Sequence, residues 1–498
     1  MRTLRVLTAI AVVPAALAAQ QPAAAGARAP IRLTIEEAVR RAVETGDEVR
    51  LAQVAVRQAE GQITQAWATA LPDIRTSFTY QRTFASVFSS GGRSSGPGRP
   101  PFEPDTLASP ADRIRYLERE YPYMLGRGLG ELFASMPFGR ENTYVAQLTV
   151  AQTLFQGGKV GAGLRGARAF RRAAAAQLEE TRRDVAYRVR QAYLGAVFAQ
   201  RLQDIAEASQ AQTGEHLRRV TLNHQVGASA DYDLLRAQVE SANQEPLVIA
   251  ARNGAETALL ELRRLVNIPA DEPVELVSTL LTSSDSLPEV DLVALQAEIA
   301  DRPAIVAAEA GVEMRREAVR VYRADRYPAL RFSMVYAGQA YPSGTFPAYR
   351  DFRKDWNASL SLSLPVFDGG RTRGAVQMAQ ADLMLAETQL QQTREAVAID
   401  VEQARSELVR ARALVAARRQ TVAQAVRAHQ LASVRYANQI AAAIEVSDAR
   451  LALQQARVNE AQATRDYLLA IAGVERALGR VVPLVRTGLR VALVGEAQ

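Results

Sequence analysis

The stretch Leu154-Phe155-Gln156-Gly157-Gly158 recurs later in the chain as Val366-Phe367-Asp368-Gly369-Gly370. The shift between the two copies, 212 positions, then holds without a gap through a long helical stretch. Within that stretch apolar residues recur at alternating spacings of four and three, which is the pattern of a coiled-coil seam. The paired seam positions, apolar except at Gln203, are Val185/Val397, Val189/Val401, Ala192/Ala404, Ala196/Leu408, Ala199/Ala411 and Gln203/Val415. The sequence therefore predicts a tandem duplication of strand, turn and long helix.

The helical stretches are long and free of proline. The pattern predicts one helix from Val160 to about Asn223 and a second from about Arg373 to Tyr436. A helix of roughly 64 residues spans about 96 Å. Shorter return helices are predicted over 230–266 and 443–478. Much of the burial is therefore expected between helices rather than in one globular core.

Each half also carries two segments in which apolar and polar residues alternate. They begin near Asp73, Thr143, Leu330 and Asp355. The last segment is the clearest, because a leucine face alternates with a serine face. Its apolar members are Trp356, Ala358, Leu360, Leu362 and Leu364, and its polar members are Asp355, Asn357, Ser359, Ser361 and Ser363. A period of two predicts strands with one apolar and one polar side.

The length of these strands bears on where the protein lies. A soluble sheet with one wet face could give the same alternation. Each segment, however, holds about 10–12 residues between Pro, Gly or charged residues, which is what a tilted strand needs to cross a bilayer. Four strands cannot close a barrel, and an open edge in lipid would leave backbone groups unpaired at several kcal/mol each. Two chains with eight strands, or three with twelve, are the smallest closed solutions.

The N-terminus and the composition fit an exported protein. Arg2 and Arg5 precede an apolar run that ends in Ala16-Leu17-Ala18, which predicts a secretory signal over residues 1–18. The chain contains no cysteine, which excludes disulfides, thiolate metal sites and a lipid-anchored N-terminal cysteine. Its net charge is +7, but basic residues are mixed with acidic ones, so no nucleic-acid partner is expected.

The enzyme-like motifs are weak. Gly161-Ala162-Gly163-Leu164-Arg165-Gly166 has the spacing of a dinucleotide-binding turn. The second copy has Arg373, Ala375 and Met378 at the glycine positions, and the helix that follows is several times too long for a βαβ unit. The three histidines, which are expected on helix surfaces without metal-ligand partners, are His216, His224 and His429. No enzymatic activity, cofactor or metal site is predicted.

The order of these motifs resembles the TolC family of outer-membrane efflux proteins. The resemblance is carried by the opening 33–42, by 154–158 with its copy 365–370, and by 226–237. It implies an α+β membrane protein and a homotrimer, in which a twelve-stranded β-barrel with four strands per chain continues into a long α-helical coiled-coil barrel. It further implies an outer-membrane exit duct with a large periplasmic part, whose partners are a periplasmic adaptor and an inner-membrane transporter.

The resemblance divides the chain into segments. The signal peptide is followed by an equatorial region with a short helix pair (19–72) and by the first strand pair (73–155), whose extracellular loop covers 85–141. The remaining segments are the first long and return helices (156–268), an equatorial linker (269–300), a short helix (301–328), the second strand pair (329–367), the second long and return helices (368–480) and a tail (481–498).

The resemblance also assigns roles at the two helical tips. Tyr436, Glu445 and Asp448 match aperture positions. The adaptor-docking positions are Val226, Gly227, Ala228, Ser229, Asn438, Gln439, Ile440 and Ala441. Gln439 stands where relatives often have glycine, and Ala441 stands at the position of a latch arginine, so the latch of the relatives is not expected here. Glu445 and Asp448 are also compatible with ordinary solvated charges in the first turn of a helix.

Two other functions fit parts of the sequence. A trimeric surface protein with a barrel anchor would share the strands and the coiled coil, and a soluble periplasmic scaffold would share only the latter. Recurrence of the strands between two helical halves favours a continuous tunnel. The sequence leaves open whether drugs, metals, polysaccharide or polypeptide pass through it.

Overall fold

The structure is a computed structural model that describes residues 30–84, 105–106, 108–121, 140–227, 229–269, 271–278, 302–342, 344–438 and 440–479. The predicted signal peptide, most of the predicted loop 85–141, residues 279–300 of the predicted linker and the predicted tail lie outside the described residues. The chain divides into two compact units. Unit 1 contains residues 1–53, 177–303 and 394–498, and unit 2 contains residues 54–176 and 304–393.

The helices and strands are described in chain order. The helices are α1 (Ile35–Thr45), α2 (Asp47–Ala68), α3 (110–121), α4 (Lys159–Gln225), α5 (Asp231–Leu265), α6 (Pro303–Ala324), α7 (Arg371–Ala437) and α8 (Ala443–Leu478). The strands are β1 (Ile31–Leu33), β2 (Asp73–Arg82), β3 (Asn142–Gln156), β4 (Val274–Leu276), β5 (Ala329–Ala340) and β6 (Arg353–Ser363). In this part of the chain no helix is long and apolar enough to cross a membrane.

Unit 2 contains an antiparallel sheet with the strand order β2-β3-β5-β6. The register places apolar residues of all four strands opposite one another, as in the row Ile74, Val150, Met334 and Ala358. Polar residues share the other side, where Ser333 lies opposite Ser359. The alternation predicted from the sequence is confirmed, and each row of side chains crosses the whole sheet.

The two edge strands of this sheet are open. Every residue of β2 and of β6 is exposed. On the apolar side, Phe78 of β2 is 65% exposed and Leu362 of β6 is 70% exposed. An isolated chain thus presents both an uncovered apolar face and two unpaired strand edges.

A Gly-Gly turn leads into each long helix, and all four glycines have positive φ. The angles are +56° and +80° at Gly157 and Gly158, and +67° and +88° at Gly369 and Gly370. A Cβ atom on Gly157 would lie 2.7 Å from the Cβ of Tyr327 and 2.8 Å from the carbonyl oxygen of Ala324. Glycine is therefore required at this turn both by the backbone conformation and by close packing.

Ion pairs join α6 to the first part of α4 in unit 2. Lys159 Nζ lies 2.7 Å from Asp325 Oδ1, and Arg165 Nη2 lies 2.9 Å from Glu317 Oε2. The Cβ that Gly166 lacks would be 3.6 Å from the Cβ of Glu317. Because the glycine leaves room, the two helices approach closely at this level.

The long helices α4 and α7 have 67 residues each. Their ends lie within two residues of the predicted ones, which is the usual scatter of helix boundaries. The members of the predicted seam that are buried are Val185, Val189, Ala196, Val397, Leu408, Ala411 and Val415, and the others are half-buried. Burial of the seam is confirmed.

Unit 1 contains a second, two-stranded sheet in which β1 pairs in parallel with β4. Tyr193 of α4 is fully buried beside it. The Tyr193 hydroxyl donates to the carbonyl of Leu33 at 2.9 Å and accepts from the backbone N–H of Ser278 at 3.3 Å. Burial raises the pKa of this hydroxyl. The side chain thus ties both strands to the long helix.

Candidate aperture at the helical tips

The first tip joins α4 to α5. Gly227 has a φ of +77°, and its N–H donates to the carbonyl of His224 at 2.9 Å. His224 Nε2 lies 2.5 Å from Asp231 Oδ1 in the first turn of α5. Of the predicted docking positions, Val226 is 78% exposed, Gly227 is exposed and Ser229 is half-buried. Ala228 lies outside the described residues.

The second tip joins α7 to α8. The N–H of Asn438 donates to the Val434 carbonyl at 3.1 Å, and its side-chain Nδ2 donates to the same oxygen at 2.8 Å. The N–H of Ile440 donates to the Arg435 carbonyl at 2.9 Å. Ile440 is exposed and Ala441 is half-buried, whereas Gln439 lies outside the described residues. Each tip thus presents an exposed aliphatic side chain, Val226 or Ile440.

Glu445 and Asp448, the predicted aperture acids, are both exposed. Glu445 lies in the first turn of α8, where the helix dipole favours a negative charge. Its Oε2 is 3.5 Å from Nη1 of Arg435 near the end of α7. The acid therefore makes an exposed ion pair across the tip, with a partner that the sequence analysis did not identify.

Tyr436, the predicted gate tyrosine, is half-buried and faces a histidine of the other long helix. Its ring centroid is 6.1 Å from that of His216, with the ring planes at 59°. His216 is half-buried, not on the surface as expected from the sequence. Burial, together with the charges of Arg450 and Arg219, lowers the pKa of its imidazole. Neutral His216 is the form that this packing favours.

A buried charged cluster lies further along the same two hairpins. Arg450 of α8 is only 7% exposed and forms an ion pair with Glu240 of α5. The hydroxyl of Ser447 donates to the same carboxylate, at 3.0 Å from Oε1 and 2.7 Å from Oε2. The sequence analysis missed this cluster. A signal for it exists, because Arg450 occupies the spacing of four and three between the buried apolar residues Val446 and Leu453.

The tips contain no catalytic arrangement in the part of the chain that is described. Among those residues no group of three or more His, Asp or Glu side chains is placed to hold a metal ion. The chemistry available at the tips is charge, hydrogen bonding and apolar contact.

A one-sided antiparallel sheet, together with two 67-residue helices and their return helices, defines a class of protein, the outer-membrane channel subunit. The family model described as outer membrane efflux protein matches residues 125–267 and 294–480. Because this match covers more than half of the chain, the chain belongs to the outer membrane efflux protein family. The predicted resemblance and the predicted outer-membrane location are confirmed.

Curated relatives come from both resistance and secretion. Protein CyaE of Bordetella pertussis is 29% identical over 304 residues, which are 57% of this chain and 58% of CyaE. The cobalt-zinc-cadmium resistance protein CzcC of Cupriavidus metallidurans is 25% identical over 68% of this chain and 77% of its own length. The alkaline protease secretion protein AprF of Pseudomonas aeruginosa is 25% identical over 39% of this chain and 40% of its own length.

Solved structures of outer-membrane channels share the fold. The Campylobacter jejuni CmeC channel has a TM-score of 0.71 at 17% identity, over 92% of this chain and 88% of CmeC. The outer membrane protein VceC of Vibrio cholerae has a TM-score of 0.69 at 18% identity, over 90% of this chain and 96% of VceC. At these identities the comparison establishes the fold alone.

Proposed function

We propose that this protein is the exit duct of a tripartite efflux pump or a type I secretion system, and that it conducts substrates passively across the outer membrane. The observation that carries the proposal is the open sheet, which has one apolar face and two unpaired edges. In lipid such a sheet is stable only when copies of the chain close it into a barrel. The resistance and secretion names of CzcC and AprF support both kinds of system.

The edges favour closure by further copies of the same chain. Three copies, as the family resemblance implies, would give a homotrimer with twelve strands. The internal sequence match supplies a template for the joint. A shift of 212 positions relates β3 to β6, and Pro72 and Pro328 relate β2 to β5 by a shift of 256. The β3–β5 pairing inside the chain is then the model for pairing between β6 and β2 of the next copy.

This template gives a definite register. Within the chain, Val150 lies opposite Met334 and Leu148 lies opposite Tyr336. Transferred by the two shifts, the same register puts Leu362 opposite Phe78 and Leu360 opposite Tyr80 of the next copy. Every apolar residue then meets an apolar residue, and Ser361 meets Thr79 on the polar side. A slip by one residue would turn leucines toward the polar side, so the register is well specified.

The helices leave matching surfaces for the next copy. In α6 the stripe Ala310, Glu317 and Ala324 is buried, at 6%, 4% and 1% exposure. The equivalent stripe of α2 is Val54, Gly61 and Ala68, and all three residues are exposed. On the other side, Met378 of α7 occupies the position equivalent to Gly166 and is 73% exposed. These surfaces support assembly through α2 and the first part of α7.

The tips are the proposed working end of the duct. In this proposal Tyr436, Glu445 and Asp448 line the aperture. The docking positions, with exposed Val226 and Ile440 among them, contact the periplasmic adaptor, which an inner-membrane transporter joins. An adaptor needs an accessible surface, and an apolar side chain at the end of each hairpin supplies one. The transporter supplies the energy, so the duct itself has no enzymatic role.

Cysteine cross-linking tests the proposed assembly, because the natural chain contains no cysteine. The double variant Thr79→Cys, Ser361→Cys should form covalent trimers on oxidation, since directly opposed residues have Cα atoms about 4.5–5.5 Å apart, within disulfide range. The control is Ser77→Cys, Ser359→Cys. In the proposed register these two positions are four residues out of step, about 13 Å apart, and should not cross-link.

The outcome is measured on non-reducing gels of outer-membrane fractions. Covalent trimers from the first variant, and monomers from the control, support the assembly and its register. A covalent species that stops at the dimer, or equal cross-linking of both variants, contradicts it. Recovery of the protein in the aqueous fraction would contradict the duct itself.

A further inference from the structure

We propose that Arg450, Glu240 and Ser447 form a lock that holds α8 against α5 and keeps the tip of the duct closed. The proposal rests on the proposed function, since a lock has meaning only if the tip opens. The three residues are called the tip lock below. None of them was assigned a role from the sequence.

The tip lock joins the two helical hairpins of one chain. Glu240 is the tenth residue of α5, and Arg450 is the eighth residue of α8. Both therefore lie roughly two to three turns from the start of their helix. The Glu240 carboxylate receives the guanidinium of Arg450 and the hydroxyl of Ser447 at the same time. A contact among three side chains of two different hairpins fixes the position of α8 at this level.

Burial makes the contact all-or-none. The side chain of Arg450 is 8% exposed and that of Glu240 is 23% exposed. Removing one partner of a buried ion pair leaves the other charge without solvent, which is strongly unfavourable. Gln244, one turn further along α5, is also buried, so little water reaches the cluster from that side. The pair is therefore stable when closed, and it separates only if the helices part far enough to admit water.

The surroundings of Arg450 do not supply a substitute carboxylate. His216 of α4 and Arg450 are close enough for the arginine charge to lower the pKa of the imidazole. Asp233 acts on His216 in the opposite direction. Arg435 of α7 is held by Glu445 at 3.5 Å, an exposed pair that salt and water weaken. At the tips the tip lock is thus the buried ionic contact between hairpins, whereas the Arg435–Glu445 pair is peripheral.

The internal sequence match shows that the tip lock is not a repeated element. The residues that directly precede α5 and α8 are related by the same shift of 212 positions. Under that shift Arg450 corresponds to Gln238, and Glu240 corresponds to Ala452. In the proposed trimer the equivalent contact between copies would therefore involve only uncharged side chains. The charged pair distinguishes the seam within one chain from the seam between chains.

The tip lock is linked to the proposed aperture through α8. Asp448 lies two residues before Arg450, and Glu445 lies one turn earlier. Because α8 is a continuous helix, a displacement that separates Arg450 from Glu240 also displaces both acids. Release of the tip lock and widening of the aperture are then the same movement.

Conductance of the purified assembly in planar lipid bilayers tests the tip lock. Glu240→Gln and Arg450→Met should each raise the single-channel conductance several-fold, because each removes one charge of the pair. The exchange variant Glu240→Arg, Arg450→Glu should return the conductance toward the wild-type value. Glu245→Gln, an exposed acid just over one turn from Glu240 on α5, is the matched control and should leave the conductance unchanged.

Size and heat resistance of each assembly are measured in parallel. Assembled single variants with lower heat resistance but wild-type conductance would overturn the tip lock and leave a purely structural ion pair. If Arg450→Met fails to assemble, Arg450→Lys replaces it, and an intermediate conductance is expected because one charged contact is kept. Wild-type conductance of that variant would also overturn the proposal. Absence of any conductance from the wild-type assembly would instead contradict the proposed duct.

Discussion

The two Gly-Gly turns have the same backbone and different surroundings. Gly157 is enclosed, since an added Cβ would strike Tyr327 and Ala324. Around Gly369 and Gly370 no atom lies within 4 Å of such a Cβ. The strands before the turns differ in the same sense, because β3 reaches Gln156 whereas β6 ends at Ser363. The difference teaches that the motif is built for a neighbour, and that one chain supplies the neighbour at only one of the two turns.

The largest expected effect comes from adding a methyl group at each turn. Both Gly157→Ala and Gly369→Ala must bear a left-handed backbone, which costs roughly 1–2 kcal/mol. Gly157→Ala also forces a clash, for which overpacking adds about 1–3 kcal/mol. Gly157→Ala should therefore lower the stability of the chain more than Gly369→Ala, as measured by urea unfolding in detergent. Equal losses would mean that the second turn is also enclosed in the functional protein.

The two sides of the sheet offer the next comparison. Leu360→Arg should impair assembly by about 2–4 kcal/mol if the residue lies near the middle of the bilayer, because a charge would face lipid. Ser361→Arg should be tolerated, since the neighbouring residue lies on the polar side. The yield of heat-resistant assembly in outer membranes distinguishes the two. Similar yields would show that the sides of β6 have been assigned wrongly.

Equivalent seam positions of the long helices should differ in a graded way. Val189 of α4 is completely buried, whereas its counterpart Val401 of α7 is half-buried. Loss of two methyl groups from a buried site costs about 2 kcal/mol, and partial exposure should reduce this to about 1 kcal/mol. Thermal unfolding of Val189→Ala and Val401→Ala measures the difference. A larger loss at Val401 would indicate that another copy completes its burial.

The smallest expected effect concerns pH and the half-buried histidines. Burial is the main cause that lowers the pKa of both His216 and His429 below the ordinary value of 6.5. As the pH falls through 6.5 the unfolded chain binds the proton first, so stability is lost on acidification. His216→Gln and His429→Gln should each flatten the fall in stability below pH 6.5, with less than about 1 kcal/mol at stake. An unchanged pH profile in both variants would contradict the assigned environments.

Local patterns predicted the parts of the fold that depend on local patterns. The alternation of leucine and serine in β6 fixed which side is apolar, and the observed register agrees. The end of β6 was predicted too late, at Leu364, because the ladder stops where its partner strand stops. Strand length is set by a neighbour, and the sequence of one strand does not contain that information.

The tips were harder to predict for a related reason. Exposed Glu445 and Asp448 were identified by position, but the partner Arg435 was not. Glu240 and Ser447 are 207 residues apart in the chain, and a charged residue on a long helix is by default a solvated one. Only the interruption of an apolar seam by Arg450 hinted at a buried charge. Which acid would meet it depends on how two hairpins pack.

The pairing of β1 with β4 has a consequence for biogenesis. Both strands, the Tyr193 hydroxyl that bridges them and nearly all of the surrounding core lie before residue 279. A chain that is threaded across the inner membrane from its N-terminus can therefore complete this sheet before β5 has been exported. The larger sheet must wait, because β3 pairs with β5. In a pulse of hydrogen exchange during export, protection of Leu33 and Leu276 should precede that of Leu148, so that the periplasmic half matures first and the membrane half last.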